Sequence, residues 1–187
     1  VADPPRPTSS KAVAQLHENA IATVMLTGDN QRTAETVASR VGILHIAAGI
    51  MPEEKVDEVI ALQQDGRKVA MVGDGINDAP AMAMADVGIA MGSGNDVAMA
   101  SAEITLMRPD LRLVPDAIEI SKATVRKIRQ NLFWAFAYNL IALPLAMCGV
   151  LTPVIAGTAM AMSSVSVVTN ALTLKRWRST QPQIQIL

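Results

Sequence analysis

The first 110 residues alternate between short apolar runs and longer stretches in which apolar residues recur at helical spacing. Short apolar runs bounded by turn residues are typical of buried strands, and the helical spacing is typical of helices packed on one face. Strands that alternate with helices form a parallel sheet covered on both faces, so the pattern predicts a Rossmann-like α/β domain. The predicted strands cover residues 22–26, 68–72, 87–91 and 104–107, and the predicted helices cover residues 11–19, 31–41, 52–64 and 79–85, with a helical turn at 95–100.

A different pattern begins at residue 132, where charged residues stop. No Asp, Glu, Lys, Arg or His occurs between residues 132 and 174. Two apolar stretches, residues 132–150 and 153–174, each approach the roughly 20 residues that cross a bilayer as a helix. A soluble helical hairpin is the alternative, and the absence of charge disfavours it. We therefore predict an all-α transmembrane hairpin. A helix over residues 111–131 is expected to lead directly into its first span.

Basic residues flank this hairpin on both sides, whereas its connection has no charge. Under the positive-inside rule this asymmetry predicts that both ends lie in the cytoplasm and that a very short loop lies outside. The flanking basic residues are Lys122, Arg126, Lys127 and Arg129 before the first span and Lys175, Arg176 and Arg178 after the second.

Composition narrows the possible functions. The formal net charge is −1, so nothing indicates binding to nucleic acid. The single cysteine, Cys148, excludes an internal disulfide and a Cys-rich metal cluster within this chain. The first residues, Asp3-Pro-Pro-Arg-Pro7, resemble a linker, and we expect the chain to be part of something longer.

The most informative motif is GDGINDAP, residues 73–80, which follows the apolar run at 68–72. It places Asp74 where the strand ends and Asp78 where the next helix starts. Ligands bind α/β sheets beyond the carboxyl ends of parallel strands, and paired carboxylates there suit Mg²⁺, which often shares them with a phosphate. The alternative is a solvated Asp-Gly turn, which is the usual fate of an isolated pair.

Two further positions suit a phosphate group. Thr27-Gly28-Asp29 offers a hydroxyl and backbone N–H groups at a strand end, and Lys55 offers an ammonium in the first turn of a helix. Each has an ordinary alternative, because Thr27 could cap the following helix and Lys55 could be a solvated surface residue.

The strings MLTGDN, MPEEK and GDGINDAP, at residues 25–30, 51–55 and 73–80, resemble the C-terminal part of P-type ATPases. The phosphorylation domain of that family belongs to the haloacid dehalogenase superfamily, so the resemblance implies an α/β haloacid dehalogenase-like domain with an incomplete parallel sheet. It implies that Thr27 and Lys55 contact a phosphorylated aspartate. The other implied roles are Mg²⁺ binding by Asp74, support of that site by Asp78, and places in the catalytic site for Gly28, Asp29 and Asn77.

The family's phosphorylated aspartate lies in a DKTGT string, which this sequence does not contain. The TGE loop of the dephosphorylating domain and the nucleotide-binding insert are also absent. Phosphoryl transfer needs a nucleophile, a metal ion and positively charged groups that bind the phosphoryl oxygens, all at one site. We therefore expect the isolated chain to be inactive.

Polar residues in the hairpin indicate which ion is carried. Intramembrane carboxylates, the ligands of Ca²⁺ and Na⁺, are lacking. A thioether such as that of Met160 suits monovalent copper or silver, and Ser164 lies on the same helix face four residues later. The alternative is ordinary packing, with Met filling a gap and with Ser, Gly157 and Ala161 allowing close helix contact.

The hairpin also resembles one subgroup, the copper-transporting type-IB P-type ATPases, whose last two membrane helices carry YN and MxxSS. The zinc-type relatives carry a Lys and an Asp in these helices, and this chain has neither. The CPC motif of the family lies in an earlier helix, so we expect the isolated hairpin to bind copper poorly. We expect Cys148 to serve packing, and a role at the exit of the transport path is the alternative. The implied transported-metal residues are Tyr138, Asn139, Met160, Ser163 and Ser164.

The resulting hypothesis is ATP-driven export of Cu⁺ through an aspartyl-phosphate, with Mg²⁺ as cofactor and ATP as substrate. The alternatives are a truncated, non-catalytic membrane module and a haloacid dehalogenase-type phosphatase. The expected partners are the rest of the ATPase, a copper chaperone and the lipid bilayer, in the bacterial plasma membrane. The predicted domains are the phosphorylation domain at residues 1–110, a linking helix at 111–131, two transmembrane helices at 132–174 and a cytoplasmic tail at 175–187.

Overall fold

The computed structural model describes residues 6–92, 99–149 and 152–177. The chain divides into two compact units, Val1–Pro115 and Asp116–Leu187. The elements of the first unit, in chain order, are α1 (Ser9–Glu18), β1 (Val24–Thr27), α2 (Gln31–Val41), β2 (His45–Ala48), α3 (Pro52–Gln64), β3 (Ala70–Gly73), a 3₁₀ turn (Ile76–Asp78), α4 (Ala79–Met84), β4 (Val87–Met91) and β5 (Ile104–Leu106).

Local sequence explains where the helices next to the candidate site begin and end. The side chain of Asn30 caps α2 by accepting the Thr33 N–H at 3.0 Å, and Gly42 ends that helix in the left-handed conformation. Pro52 occupies the first position of α3, and the Glu54 carboxylate accepts the Met51 N–H at 2.6 Å. These caps fix the start of each helix immediately after a strand-end loop.

All strand pairs are parallel, which confirms the predicted α/β class. The strands form two sheets, one of β1 and β2 and one in the order β3-β4-β5, rather than a single continuous sheet. Strand β2 was not predicted, because its two alanines are poor strand formers and only pairing with β1 makes it a strand. The predicted turn at 95–100 lies largely outside the described residues.

One apolar core joins the helices and strands from α3 to β4. Its buried members come from α3, β3, α4 and β4, and Leu26 of β1 packs against them. Met82 and Val59, from the facing helices α4 and α3, are almost completely buried. The core therefore holds the end of β1 and the end of β3 on the same small body. The buried residues of this cluster are Val59, Met71, Ala79, Ala81, Met82 and Ala90.

A polar clamp secures the start of β3 to the start of β4. The Asp86 carboxylate accepts hydrogen bonds from Lys68 Nζ at 2.6 Å, from the Val69 N–H at 3.0 Å and from Gln63 Nε2 at 3.2 Å. These bonds, led by that of Lys68, lower the pKa of Asp86 from 3.8 to about 2. The folded state therefore favours the ionised carboxylate of Asp86.

Asp86 gives the first testable prediction. Because its pKa is lower in the folded state, its contribution to stability is present above about pH 4 and is lost as the pH falls toward 2. We expect Asp86→Asn to unfold at lower urea concentration than the unaltered chain at pH 6, with the difference closing by pH 2. Far-UV circular dichroism in detergent measures this. Asp65→Asn, at an exposed carboxylate, is the control, and a difference independent of pH would contradict the linkage.

The second unit is helical. Helix α5 (Leu113–Met147) runs through residue 131 without a break, so the predicted linking helix and the first predicted span are one element. Helix α6 (Pro153–Leu172) begins at Thr152, whose hydroxyl accepts the Ile155 N–H at 3.3 Å, and a 3₁₀ turn (Thr173–Arg176) extends it.

Among the described residues, one helix, Pro153–Arg176, is long and apolar enough to cross a membrane by length and composition alone. The apolar part of α5 begins at residue 132, and the helix ends at Met147. This apolar part is therefore shorter than the roughly 20 residues of a typical span.

Half-buried residues recur every three or four positions along α5 and α6, which defines one packed face on each helix. Two cross-helix contacts, Tyr138 with Ser166 and Asn131 with Asn170, show that these faces meet. We call this interface the helix seam. Its half-buried residues include Lys127, Asn131, Ala135, Tyr138 and Ala142 on α5 and Ala156, Ala159, Ser163, Ser166 and Asn170 on α6.

Candidate phosphate site and transported-metal residues

The loop after β1 is built around Thr27. Its hydroxyl accepts the Asp29 N–H at 3.1 Å, which turns the chain tightly after the strand. The loop after β2 joins it, because the Gly49 N–H donates to the Asp29 carbonyl at 2.7 Å and the Ile50 N–H donates to the Thr27 carbonyl at 3.2 Å. Asn30, rather than Thr27, caps α2, so the helix-capping interpretation of Thr27 is wrong.

The same pair of loops positions Lys55. Met51 caps α3, and Lys55 follows in its first turn. Its side chain is only 14% exposed, and Nζ lies 2.7 Å from Oδ1 of Asp78, whose side chain is 15% exposed. A solvated surface lysine is therefore excluded. A cation at the positive end of a helix is unfavourable by itself, so this place favours a bound anion.

Strand β3 ends at Gly73, and the residues after it form the other side of the site. A side chain at Gly73 would place its Cβ 2.6 Å from Cβ of Asp78, so only glycine permits this approach of the turn to the strand. Asp78 ends the 3₁₀ turn and stands directly before α4. Asp74 and Asn77 are exposed at the same loop. The two acidic residues differ in role, since Asp78 is paired and Asp74 presents its carboxylate to solvent.

A chain of contacts links the predicted catalytic residues. Thr27 bonds the loop that starts α3, Lys55 of α3 pairs with Asp78, and Asp78 packs on Gly73. The structure thus brings the motifs at 27–29, 55 and 73–78 to the carboxyl ends of β1 and β3.

The donor set fits magnesium. Asp74 and Asp78 supply carboxylate oxygens, which are hard ligands. Within the described ranges there is no group of three or more His, Cys, Asp or Glu that could hold a metal. Mg²⁺ is usually bound by one or two carboxylates together with water and substrate phosphates, and a pair of carboxylates suits that kind of site. Lys55 and the loop N–H groups add positive charge for an anion beside it.

Two carboxylates with lowered pKa besides Asp86 serve the fold rather than this site. The Gly88 N–H donates to Glu103 at 2.5 Å and lowers the pKa of that carboxyl. The Arg112 guanidinium lowers the pKa of Asp110 through hydrogen bonds as short as 2.6 Å. Both fasten connections close to β4 and β5, away from the predicted motifs.

The five predicted metal residues of the second unit do not share one surface. The Tyr138 hydroxyl lies 3.4 Å from Ser166 Oγ in the helix seam, and Ser163 is half-buried there. Asn139, Met160 and Ser164 are exposed, and Met160 is 72% exposed. The Ser164 hydroxyl donates to the Met160 backbone carbonyl at 3.1 Å, and the spacing of four residues places both residues on one helix face.

Between α5 and α6, the Met160 side chain fills no gap, since it is 72% exposed. Outside the backbone of its own helix, no atom lies within 4 Å of a Cβ placed at Gly157. Sequence reasoning did not foresee that five further polar residues join the helices, namely Lys127, Gln130, Asn131, Ser166 and Asn170. Their spacing was the available signal, because Asn131 lies seven residues before Tyr138 and Asn170 four after Ser166, on the same helix faces.

The fold and the strand-end loops define a haloacid dehalogenase-like α/β domain. Residues 1–86 match the family described as haloacid dehalogenase-like hydrolase. The fold is also found in a cobalt-bound deoxy-D-mannose-octulosonate 8-phosphate phosphatase from Haemophilus influenzae, with a TM-score of 0.56 and 18% identity over 63% of this chain and 72% of that one. At that identity the likeness shows the fold alone.

Two further relatives extend the likeness across both units. The chain is 56% identical to a copper-exporting P-type ATPase of Staphylococcus aureus (strain JH9), over 95% of this chain and 22% of the relative. The crystal structure of a zinc-transporting PIB-type ATPase in the E2.Pi state has a TM-score of 0.85 at 41% identity, over 92% of this chain and 28% of that one. The chain therefore belongs to the P-type ATPase family. It spans about a fifth of the length of the curated relative.

Proposed function

We propose that this chain is the C-terminal part of an ATP-driven exporter of monovalent copper that works through an aspartyl-phosphate. The observation that carries the proposal is the meeting of Thr27, Lys55 and the Asp74–Asp78 turn at the carboxyl ends of β1 and β3. The relative from Staphylococcus aureus, a copper-exporting P-type ATPase, supports the same assignment.

In the proposed reaction an aspartate carboxylate outside this chain attacks the γ-phosphorus of ATP, and ADP leaves. The Thr27 hydroxyl and the Gly28 N–H bind the oxygens of the transferred phosphoryl group, while the Asp29 N–H holds the Thr27 hydroxyl oxygen at 3.1 Å. The Lys55 ammonium carries more than one proton, so it can donate to the same phosphoryl group as well as to Asp78. Mg²⁺, held by Asp74 with support from Asp78, neutralises developing charge when it is bound. Asn77, exposed beside Asp74, borders this site.

The division of the sheet supports a nucleophile supplied from elsewhere in the protein. Among the described strands, β1 pairs only with β2, and β3 pairs only with β4, so each has one unpaired edge. Unpaired edges bind further strands through their N–H and C=O groups. We propose that a strand carrying the phosphorylated aspartate pairs at these edges, which would place its carboxylate beside Thr27, Lys55 and Asp74.

The hairpin chemistry favours Cu⁺ as the transported ion. Met160 offers a soft thioether, and residues 132–174 contain no carboxylate, which is the ligand that would suit a hard divalent ion. We propose that Tyr138, Asn139, Met160 and Ser164 contribute to the copper site, with Ser163 nearby in the helix seam. Further soft ligands would come from the rest of the ATPase. Ag⁺ shares this ligand chemistry and is an expected second substrate.

The membrane assignment follows from the same features. Relatives that export copper are membrane proteins, and Pro153–Arg176 has the length and composition of a span. We propose that α5 and α6 both cross the bacterial plasma membrane, with the basic residues that flank them in the cytoplasm. A cytoplasmic copper chaperone is the proposed donor of the ion.

The proposal is tested by the ion that activates the complete protein. We expect ATP hydrolysis by the purified protein in lipid to rise at least about tenfold with Cu⁺ under reducing conditions, and to stay near its basal rate with Zn²⁺. Ag⁺ is the positive control for a soft monovalent site. Stimulation by Zn²⁺ and not by Cu⁺ would exclude the proposed substrate, and hydrolysis that none of these ions stimulates would favour a phosphatase.

A further inference from the structure

Asn170 makes a set of side-chain contacts across the helix seam that the proposed site does not use. Its Oδ1 accepts from Lys127 Nζ at 2.9 Å, and its Nδ2 donates to Asn131 Oδ1 at 2.7 Å and to Gln130 Oε1 at 3.4 Å. We call these four residues the Asn170 cluster. Asn170, Lys127 and Asn131 are half-buried. One amide thus joins a charged group and two further amides on the opposite helix.

These bonds set how far α6 can slide along α5. A polar group between apolar helices costs free energy unless its hydrogen bonds are made. A shift of one residue moves a helix by about 1.5 Å, which is enough to break bonds of this length. Asparagine is suited to the position because its oxygen accepts from Lys127 while its N–H₂ group donates to both Asn131 and Gln130. A hydroxyl has a single proton to donate, and an apolar side chain has none.

The cluster lies next to the contact that holds Tyr138. Asn170 is four residues from Ser166 on one face of α6, and Asn131 is seven residues from Tyr138 on one face of α5. The bond from Tyr138 to Ser166, at 3.4 Å, is therefore the next contact along the helix seam. Met160 and Ser164 are carried by α6 and Asn139 by α5, so the register of the two helices decides how these groups face one another.

We infer that Asn170 is a positioning residue, which fixes the register of α5 and α6 and thereby the place of Met160 and Ser164 on α6 relative to Tyr138 and Asn139 on α5. The inference rests on the proposed copper site for its effect on transport, whereas the register itself does not depend on copper.

The first test measures metal affinity through phosphorylation. In the complete protein, Asn170→Leu should raise the Cu⁺ concentration that half-activates phosphorylation by ATP about tenfold, which corresponds to about 1.4 kcal/mol. Phosphorylation by inorganic phosphate without copper should be unchanged, which shows that the α/β site and the fold are intact. Asn170→Asp should restore the affinity, since it accepts from Lys127 and from Asn131 once that amide turns. Thr169→Leu, at an exposed neighbour, is the control.

The second test needs no copper. Spin labels on cysteines replacing Leu140 and Val168, both exposed, report the distance between α5 and α6 when Cys148 is replaced by serine. We expect one narrow distance in the unaltered protein, a shifted or broadened one in Asn170→Leu, and the original one in Asn170→Asp. Unchanged distances, or equal losses in both phosphorylation reactions, would overturn the inference. Failure of copper to activate the unaltered protein would instead overturn the proposed function. The distance measurement alone would then decide whether Asn170 sets the register of α5 and α6.

Discussion

Replacement of Asp74 by asparagine in the complete protein is expected to lower phosphoenzyme formation from ATP by at least about 10³-fold. Asp74 is exposed directly after β3, whereas Asp78 is tied to Lys55 at 2.7 Å. Asp74 is therefore the carboxylate best able to bind Mg²⁺ as an anion. An amide of the same shape keeps the loop but removes the charge that the metal needs. Acid-stable incorporation of radiolabelled phosphate from ATP measures the effect.

Asp65→Asn is the matched control for Asp74. Asp65 is an exposed carboxylate at the other end of α3, where it lies 3.8 Å from Arg67. An exposed pair of this kind contributes little to stability, so this variant should phosphorylate like the unaltered protein. If Asp74→Asn also forms phosphoenzyme normally, and at the same Mg²⁺ concentration, the assignment of Asp74 to the metal is wrong.

Met160→Ala is expected to abolish the activation of ATP hydrolysis by Cu⁺. The thioether of Met160 is 72% exposed, so its loss removes a soft ligand without leaving a cavity between the helices. Phosphorylation by inorganic phosphate, which does not draw on the transported ion, should be retained. Steady-state hydrolysis over a series of buffered Cu⁺ concentrations, together with copper bound per protein, measures the loss.

Met162→Ala separates ligation from general effects of truncating a methionine in α6. Met162 is also exposed, at 57%. It lies two residues after Met160 and therefore points to a different face of the helix. We expect this variant to keep its activation by Cu⁺. Full activation of Met160→Ala would return Met160 to a packing role, and equal losses in both variants would show that the helix surface, rather than one sulfur, is needed.

The fold could be predicted to the extent that neighbouring residues determine it. Apolar runs ending at Thr27 and Gly73 gave β1 and β3, because such runs are stable only when buried. Strand β2 has no comparable run, and its pairing with β1 gives it its conformation. The division into two sheets could not be foreseen either, since strand order depends on which edges find partners.

The phosphate site was predicted in its members but not in its contacts. Motifs indicated Thr27, Lys55, Asp74 and Asp78, and they left open whether Thr27 capped a helix and whether Lys55 was solvated. The structure shows that Asn30 is the cap and that Lys55 pairs with Asp78, 23 residues away. The roles of these residues toward phosphate and Mg²⁺ remain predictions for the experiments above.

By itself the sequence determined the α/β order of the first unit, the polar groups at its strand ends and the charge-free stretch at residues 132–174, because these are properties of residues close together along the chain. Only the tertiary structure decided that Lys55 meets Asp78 and that Asn131 meets Asn170, 39 residues apart. Such contacts depend on how whole helices and strands pack. The burial of their apolar faces, rather than any local preference, brings distant polar groups to hydrogen-bonding distance.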